Sequence, residues 1–208
     1  MRLSLFVAAI LCVGSLASAG AITYDVTVNT SSISGTAGSL DLNFGPGPSS
    51  QAASLQILNF ASDGTLAGNC PCGIGDVSGQ LPATLTFDNG TGFNDYFDQF
   101  MFGGTISFNV SLFGPALSAP DGVSTSGSAF TFSMFFDPGG TFPVLTSDTA
   151  DGFAFEIAVN LDGTTTVTNF TEGAAIVNAE TSTPEPGSFV LLGTALACCV
   201  ALQLLRSR

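Results

Sequence analysis

The sequence predicts an all-β protein, a single antiparallel β-sandwich of jelly-roll type, on two observations. Apolar and polar residues alternate with a period of two through most of the chain. Between the alternating runs stand clusters of Gly, Pro, Asn and Asp, the residues that close turns. Helix is opposed by composition: the 208 residues include 25 Gly and 10 Pro, Ser and Thr are frequent, Lys is absent from the body, and no stretch there repeats at 3.6 residues.

Taken in order, Ile22, Tyr24, Val26 and Val28 share one face of a first strand, opposite Thr23, Asp25, Thr27 and Asn29. The pattern recurs at Leu40, Leu42 and Phe44; at Ala83, Leu85 and Phe87; at Ile106, Phe108, Val110 and Leu112; at Phe130, Phe132, Met134 and Phe136; and at Phe153, Phe155, Ile157, Val159 and Leu161. Weaker alternation predicts strands over 54–61, 96–102 and 164–170. Turns are expected at Gly45-Pro46-Gly47-Pro48, Asp88-Asn89-Gly90 and Asp137-Pro138-Gly139-Gly140. Strands with one apolar face each must cover it, and two sheets packed together do so. Of the 19 phenylalanines all but Phe6 and Phe189 fall in this body, enough for a sizeable core, since burying each contributes about 1.5–3 kcal/mol.

The two ends read differently. Met1 and Arg2 precede an apolar run from Leu3 to Leu16 and the small residues Ala17, Ser18 and Ala19, the plan of a secretory signal cleaved after Ala19. Fourteen residues of helix rise only about 21 Å, short of a hydrocarbon core of about 30 Å. At the other end Thr183-Pro184-Glu185-Pro186-Gly187-Ser188 is followed by an apolar run from Phe189 to Leu205 and by Arg206, Ser207 and Arg208. The run predicts a transmembrane helix, with the arginines held in the cytoplasm and the body outside. The expected organisation is signal peptide 1–19, sandwich 20–178, stalk 179–188, membrane helix 189–205 and basic tip 206–208.

Pro184-Glu185-Pro186, the apolar helix and the basic end resemble the PEP-CTERM sorting signal of Gram-negative bacteria, over about the last 25 residues. The match departs in its tip, where Arg206-Ser207-Arg208 stands in place of a longer run of arginines. The resemblance implies processing by an exosortase, a membrane protease-transpeptidase that removes the helix and delivers the body to the cell surface or the exopolysaccharide matrix. Phrases such as Tyr24-Asp25-Val26-Thr27-Val28-Asn29 are similar to those of uncharacterised exported PEP-CTERM proteins, a resemblance that implies no activity.

Charge removes most chemistry. The chain holds 16 acidic residues, three basic ones (Arg2, Arg206, Arg208), no His and no Trp, for a formal net charge of −13. Without His or Lys there is no base for a Ser-His-Asp or Ser-Lys nucleophile, no imidazole metal site and no phosphate loop built on Lys. An anionic body repels nucleic acid, and its charge favours divalent cations or neutral glycans instead. The expected role is a non-catalytic structural or adhesive one, with a carbohydrate-binding module as the alternative. A carboxylate-dependent glycosidase is the third reading, since two carboxyls about 5–9.5 Å apart suffice; Glu156 is its first candidate, although alternation with Phe155 and Ile157 points it to solvent.

Calcium is the one cofactor the sequence raises, through the acidic run Asp88, Asn89, Asn94, Asp95 and Asp98. The spacing is not that of an EF-hand, and Asp and Asn close turns for backbone reasons alone. Cys70-Pro71-Cys72 holds the only thiols of the exported body. Outside the cytoplasm a bridge between Cys70 and Cys72 is expected; pairing with another chain and free thiols are the alternatives.

Overall fold

The computed structural model describes residues 20–68 and 72–180, and these form two antiparallel sheets. The strands are β1 (Ile22–Asn29), β2 (Ala37–Pro46), β3 (Ser54–Ser62), β4 (Thr65–Leu66), β5 (Gly73–Ile74), β6 (Val77–Gly79), β7 (Leu85–Asp88), β8 (Asp95–Met101), β9 (Thr105–Phe113), β10 (Ser128–Phe135), β11 (Phe153–Val159), β12 (Thr165–Asn169) and β13 (Ala175–Glu180). One sheet runs β13-β1-β9-β3-β7-β6; the other runs β12-β11-β10-β2-β8-β4, with β5 also on β8. Among the described residues helix is confined to a 3-10 turn at Ser31–Ile33 and one turn, α1 (Pro115–Ser118). Among the described residues no helix is long and apolar enough to cross a membrane.

Pairing is nested. β1 pairs with β9, β2 with β8 and β3 with β7, in the first, second and first sheet respectively. The chain segment β1–β3 is thus matched, in reverse order, by β7–β9, and this double ribbon passes back and forth between the sheets. β10, β11 and β12 then widen the second sheet beyond β2, and β13 closes the first beyond β1.

The period-two faces meet in one core. Leu40, Leu42 and Phe44 of β2, Ile106, Phe108 and Val110 of β9, and Phe130, Phe132 and Met134 of β10 are all buried. Phe108 of the first sheet packs against Phe132 and Phe155 of the second, at ring-centroid distances of 5.3 and 6.4 Å, and against Phe60 at 6.2 Å. This cluster joins the sheets, and such aromatic pairs add about 0.5–1.5 kcal/mol each beyond the area they bury. Tyr24 lies in the same core, and its hydroxyl is 2.6 Å from Thr165 Oγ1 on β12, a polar link between the two sheets.

Every strand expected from the sequence is present, and the differences lie at ends. β10 stops at Phe135, and Phe136, expected on the core face, is half-exposed. Its amide donates to Phe142 O (2.9 Å), which turns the chain before the alternation completes. Phe135, on the opposite face, is instead buried, bridged to Pro143 and flanked by the loop that follows. β11 likewise ends at Val159, because Asn160 and Thr164 close a turn (Asn160 N to Thr164 O, 2.8 Å) that leaves Leu161 exposed. A bulge between Phe132 and Ser133 shifts the β10–β11 register, so Ala154 is fully buried while Phe153 is only partly so. β7 begins at Leu85 rather than Ala83, and Leu81–Pro82 before it is a cis peptide. β13 runs two residues past the expected body limit at 178, because Ala179 and Glu180 pair with Tyr24 and Thr23.

Replacing Phe132 by Ala removes an aromatic at the junction of the sheets and should lower stability by about 3–5 kcal/mol, whereas Phe142→Ala, on a side chain 64% exposed, should change it by less than about 0.5 kcal/mol. Urea titration with an unchanged m-value distinguishes the two.

Candidate functional site

Five carboxylates organise the loops, each taking backbone N–H donors as partners. Asp63 accepts from the amides of Gly104 (2.9 Å) and Thr105 (2.9 Å), which hold its pKa below the usual carboxylate range. Asp121 accepts from Ser124 N and Val123 N, both at 2.9 Å, and from the Ser124 hydroxyl, and is lowered likewise. In Asp137, desolvation pushes upward, but donors at Phe142, Thr141 and Gly139 outweigh it. Asp148 is lowered by the amides of Asp151, Phe153 and Ala150, and Asp162 by the hydroxyl and amide of Thr164. Asp121, Asp137, Asp148 and Asp162 accept from the amide two residues on, the geometry of an Asx turn, whereas Asp63 reaches across to the loop between β8 and β9.

The residues of the calcium candidate cluster are not brought together. Asp88 sits at the end of β7 in the first sheet and accepts from the Ser54 hydroxyl. Asn89 Oδ1 accepts from Ala53 N (2.9 Å), and its Nδ2 donates to Gln51 O and Ser128 Oγ, both at 2.8 Å. Asn94 is buried and fully used: Oδ1 accepts from Asp76 N (2.8 Å) and from the Thr91 hydroxyl, while Nδ2 donates to Phe44 O (2.9 Å) and Thr91 O (3.0 Å). Asp95 and Asp98 lie three residues apart on β8, an odd step that sends them to opposite faces. Asp98 is on the core side beside Tyr96, whose hydroxyl accepts from Leu81 N (3.2 Å) and lies 3.5 Å from Asp98 Oδ2. Burial pushes the Asp98 carboxyl up and pushes the Tyr96 phenol up to about 12. Among the described residues no group of three or more His, Cys, Asp or Glu is placed to hold a metal ion.

Asp95 faces outward from the second sheet, and its partner there is a residue the sequence did not single out. Asp41 lies between Leu40 and Leu42 of β2, opposite Phe97 of β8, diagonal to Asp95. The two carboxyls lie within hydrogen-bonding reach of each other. Burial, then the hydrogen bond to Asp95 and its charge, raise the Asp41 pKa to about 8. Asp95 is 8% exposed, and neither Asp41 Oδ1 nor Asp95 Oδ1 has a hydrogen-bond partner. A pair within such reach is too close to bracket a glycosidic bond, which takes a separation of at least about 5 Å.

From Asp95 a row of outward residues crosses the sheet: Asn43 on β2, Thr131 on β10, Glu156 on β11 and Thr168 on β12. Glu156 thus faces away from Phe155 and Ile157 as its alternation predicts, and is partly covered by its neighbours. The next row is Gly45, Ala129, Ala158 and Thr166, and its small side chains leave a shallow groove of about 430 Å³, bordered by Gly47, Ser126, Asn160 and Leu161. Gly127 at its end passes so near β11 that a Cβ would stand 1.7 Å from Val159 O.

Cys72 is buried against the core and disulfide-bonded; Cys70, its expected partner, lies outside the described residues. So do Ala17 and Ala19, the Pro184-Glu185-Pro186 motif, Arg206, Arg208 and the apolar run before them. No family model, curated protein or solved structure matches the chain.

The Asp41 proton gives stability an unusual pH dependence. The native state keeps a proton that the unfolded chain releases near about pH 3.9, so stability is greatest toward that lower limit and is lost as pH rises to about 8. The lowered loop carboxylates act oppositely, losing their contribution as pH falls through their folded values. Thermal melting should show the midpoint falling from about pH 5 to about pH 8 in the native protein, and Asp41→Asn, which keeps a donor for Asp95, should flatten that limb without changing the acid one.

Proposed function

We propose that the chain is an exported protein, sorted by an exosortase to the cell surface or exopolysaccharide matrix, in which a jelly-roll sandwich plays a non-catalytic structural or adhesive part. The observation that carries this reading is the order of the C-terminal signals, Pro184-Glu185-Pro186, then an apolar run, then Arg206 and Arg208, paired with the signal-like N-terminus ending in Ala17 and Ala19. The jelly-roll assignment is supported by the nested pairing of β1, β2 and β3 with β9, β8 and β7. The non-catalytic reading is supported by the engagement of loop carboxylates with backbone amides and by a body without His or Lys.

Expressed in a Gram-negative host that carries exosortase, the chain should lose its apolar tail and reach the surface fraction. The triple change Pro184→Ala, Glu185→Ala, Pro186→Ala should stay full-length in the inner membrane. Intact mass and fractionation are the readouts, and untrimmed protein in the cytosol overturns the reading.

The groove on the second sheet favours a carbohydrate-binding module as the alternative. Its floor of Gly45, Ala129 and Ala158 admits a flat chain close to the backbone, and Asn160 and Ser126 offer hydrogen-bonding groups at its border. It has no aromatic platform, so binding would rest on hydrogen bonds and shape. On a glycan array the module reading expects a saturable preference for one sugar class, abolished by Ala129→Phe at unchanged melting temperature. An array without such binding favours the structural role.

A further inference from the structure

Asp41 and Asp95 form a charge cluster that the protein itself does not balance. The loop acids described above are met by N–H donors, but each member of this pair has an oxygen that is buried and without a partner, and Asp95 is almost wholly enclosed. Among the described residues the surroundings supply nothing positive. Ser133 of β10 lies opposite Asp41, Phe97 of β8 is its other neighbour, and Ile74 of β5 lies opposite Asp95. The loop after β10 brings Asp137, whose carboxylate is taken by its own turn and whose carbonyl receives the Ser39 hydroxyl (2.8 Å). Asp98 and Tyr96 are on the other face of β8, and Glu156 stands two strands beyond Asn43 in the outward row. The three arginines of the chain are at positions 2, 206 and 208.

We propose that the Asp41–Asp95 pair is a divalent-cation site, of calcium type, in which the ion takes the unpartnered, buried oxygens of the two carboxyls as ligands. Oxygen ligands are what a hard cation prefers: the two carboxylates come from neighbouring strands, the Asn43 carboxamide flanks them in the same outward row, and water completes the shell. The ion thereby ties β2 to β8 on the outward face as the side chains of Leu40, Leu42, Tyr96 and Phe100 do on the inner one. The site differs from the acidic run apparent in the sequence, sharing only Asp95 with it, and it does not depend on how the protein is sorted.

The test uses the full 208-residue chain in detergent, freed of metal with chelator, and calcium chloride as the probe. At pH 7 the melting temperature should rise by about 5 °C once calcium exceeds its dissociation constant about a hundredfold. Calorimetry should register saturable binding of close to one calcium per chain. Asp41→Asn and Asp95→Asn should abolish both effects, while Asp88→Asn and Asp162→Asn should leave them intact. Asp41→Asn retains a hydrogen-bond donor for Asp95, and its melting without metal reports that it folds. Absence of a shift and of binding heat with calcium above about 1 mM, the weak end of extracellular calcium sites, overturns the proposal. So does a calcium response that survives in Asp41→Asn.

Discussion

The constraint on which the structure depends is that fifteen acidic residues fold between positions 20 and 183 with no cation among them. Among the described residues no cation is available for an ion pair, and carboxylates are answered with backbone dipoles. Asp63, Asp121, Asp137, Asp148 and Asp162 each gather N–H groups, and in doing so fix the turns that join the strands. Charge and turn formation become one interaction: the acid needs donors, and the turn needs an acceptor for amides that no strand uses. An acidic composition, which from a distance suggests ligand binding, is in these loops mostly architecture.

That also explains which parts of the molecule were legible in the sequence. Alternation in the chain locates strands because one-residue shifts exchange the faces, and the nine strands it identifies are all present. It fails at Phe136 and Leu161, where an apolar residue keeps the period but the backbone has already turned under Asp137 and Asn160. It also misses β4, β5 and β6, which are two or three residues long, too short to display a period, and β13, where Asn178 interrupts little but a stalk was expected nearby. Size of core was legible too, though not its arrangement: of the phenylalanines, Phe93, Phe136 and Phe142 are exposed and ten are buried.

The candidate site was much less legible. Proximity in sequence grouped Asp88, Asn94, Asp95 and Asp98, yet strand geometry separates them, and the odd spacing of Asp95 and Asp98 already contained that outcome. Asp41 could not be found in this way. It is an ordinary outward residue of β2 until β8, more than fifty positions later, pairs beside it in a register that sets Asp95 diagonally across. Long-range register is what creates the pair, and no local pattern encodes it.

The same charge economy bears on how the sheets end. Lysine is the usual guard of an exposed strand edge, and this body has none. Its edges are instead short: β4 has two residues, β6 three and β12 five, and the longer β13 alone offers six with Ile176 exposed. A uniformly anionic surface adds a second guard, since two copies approaching edge to edge bring like charges together, screened only beyond about 8 Å at physiological salt. Divalent ions in the surroundings weaken that repulsion. A body so built should resist edge-to-edge association where cations are scarce and tolerate it where they are abundant.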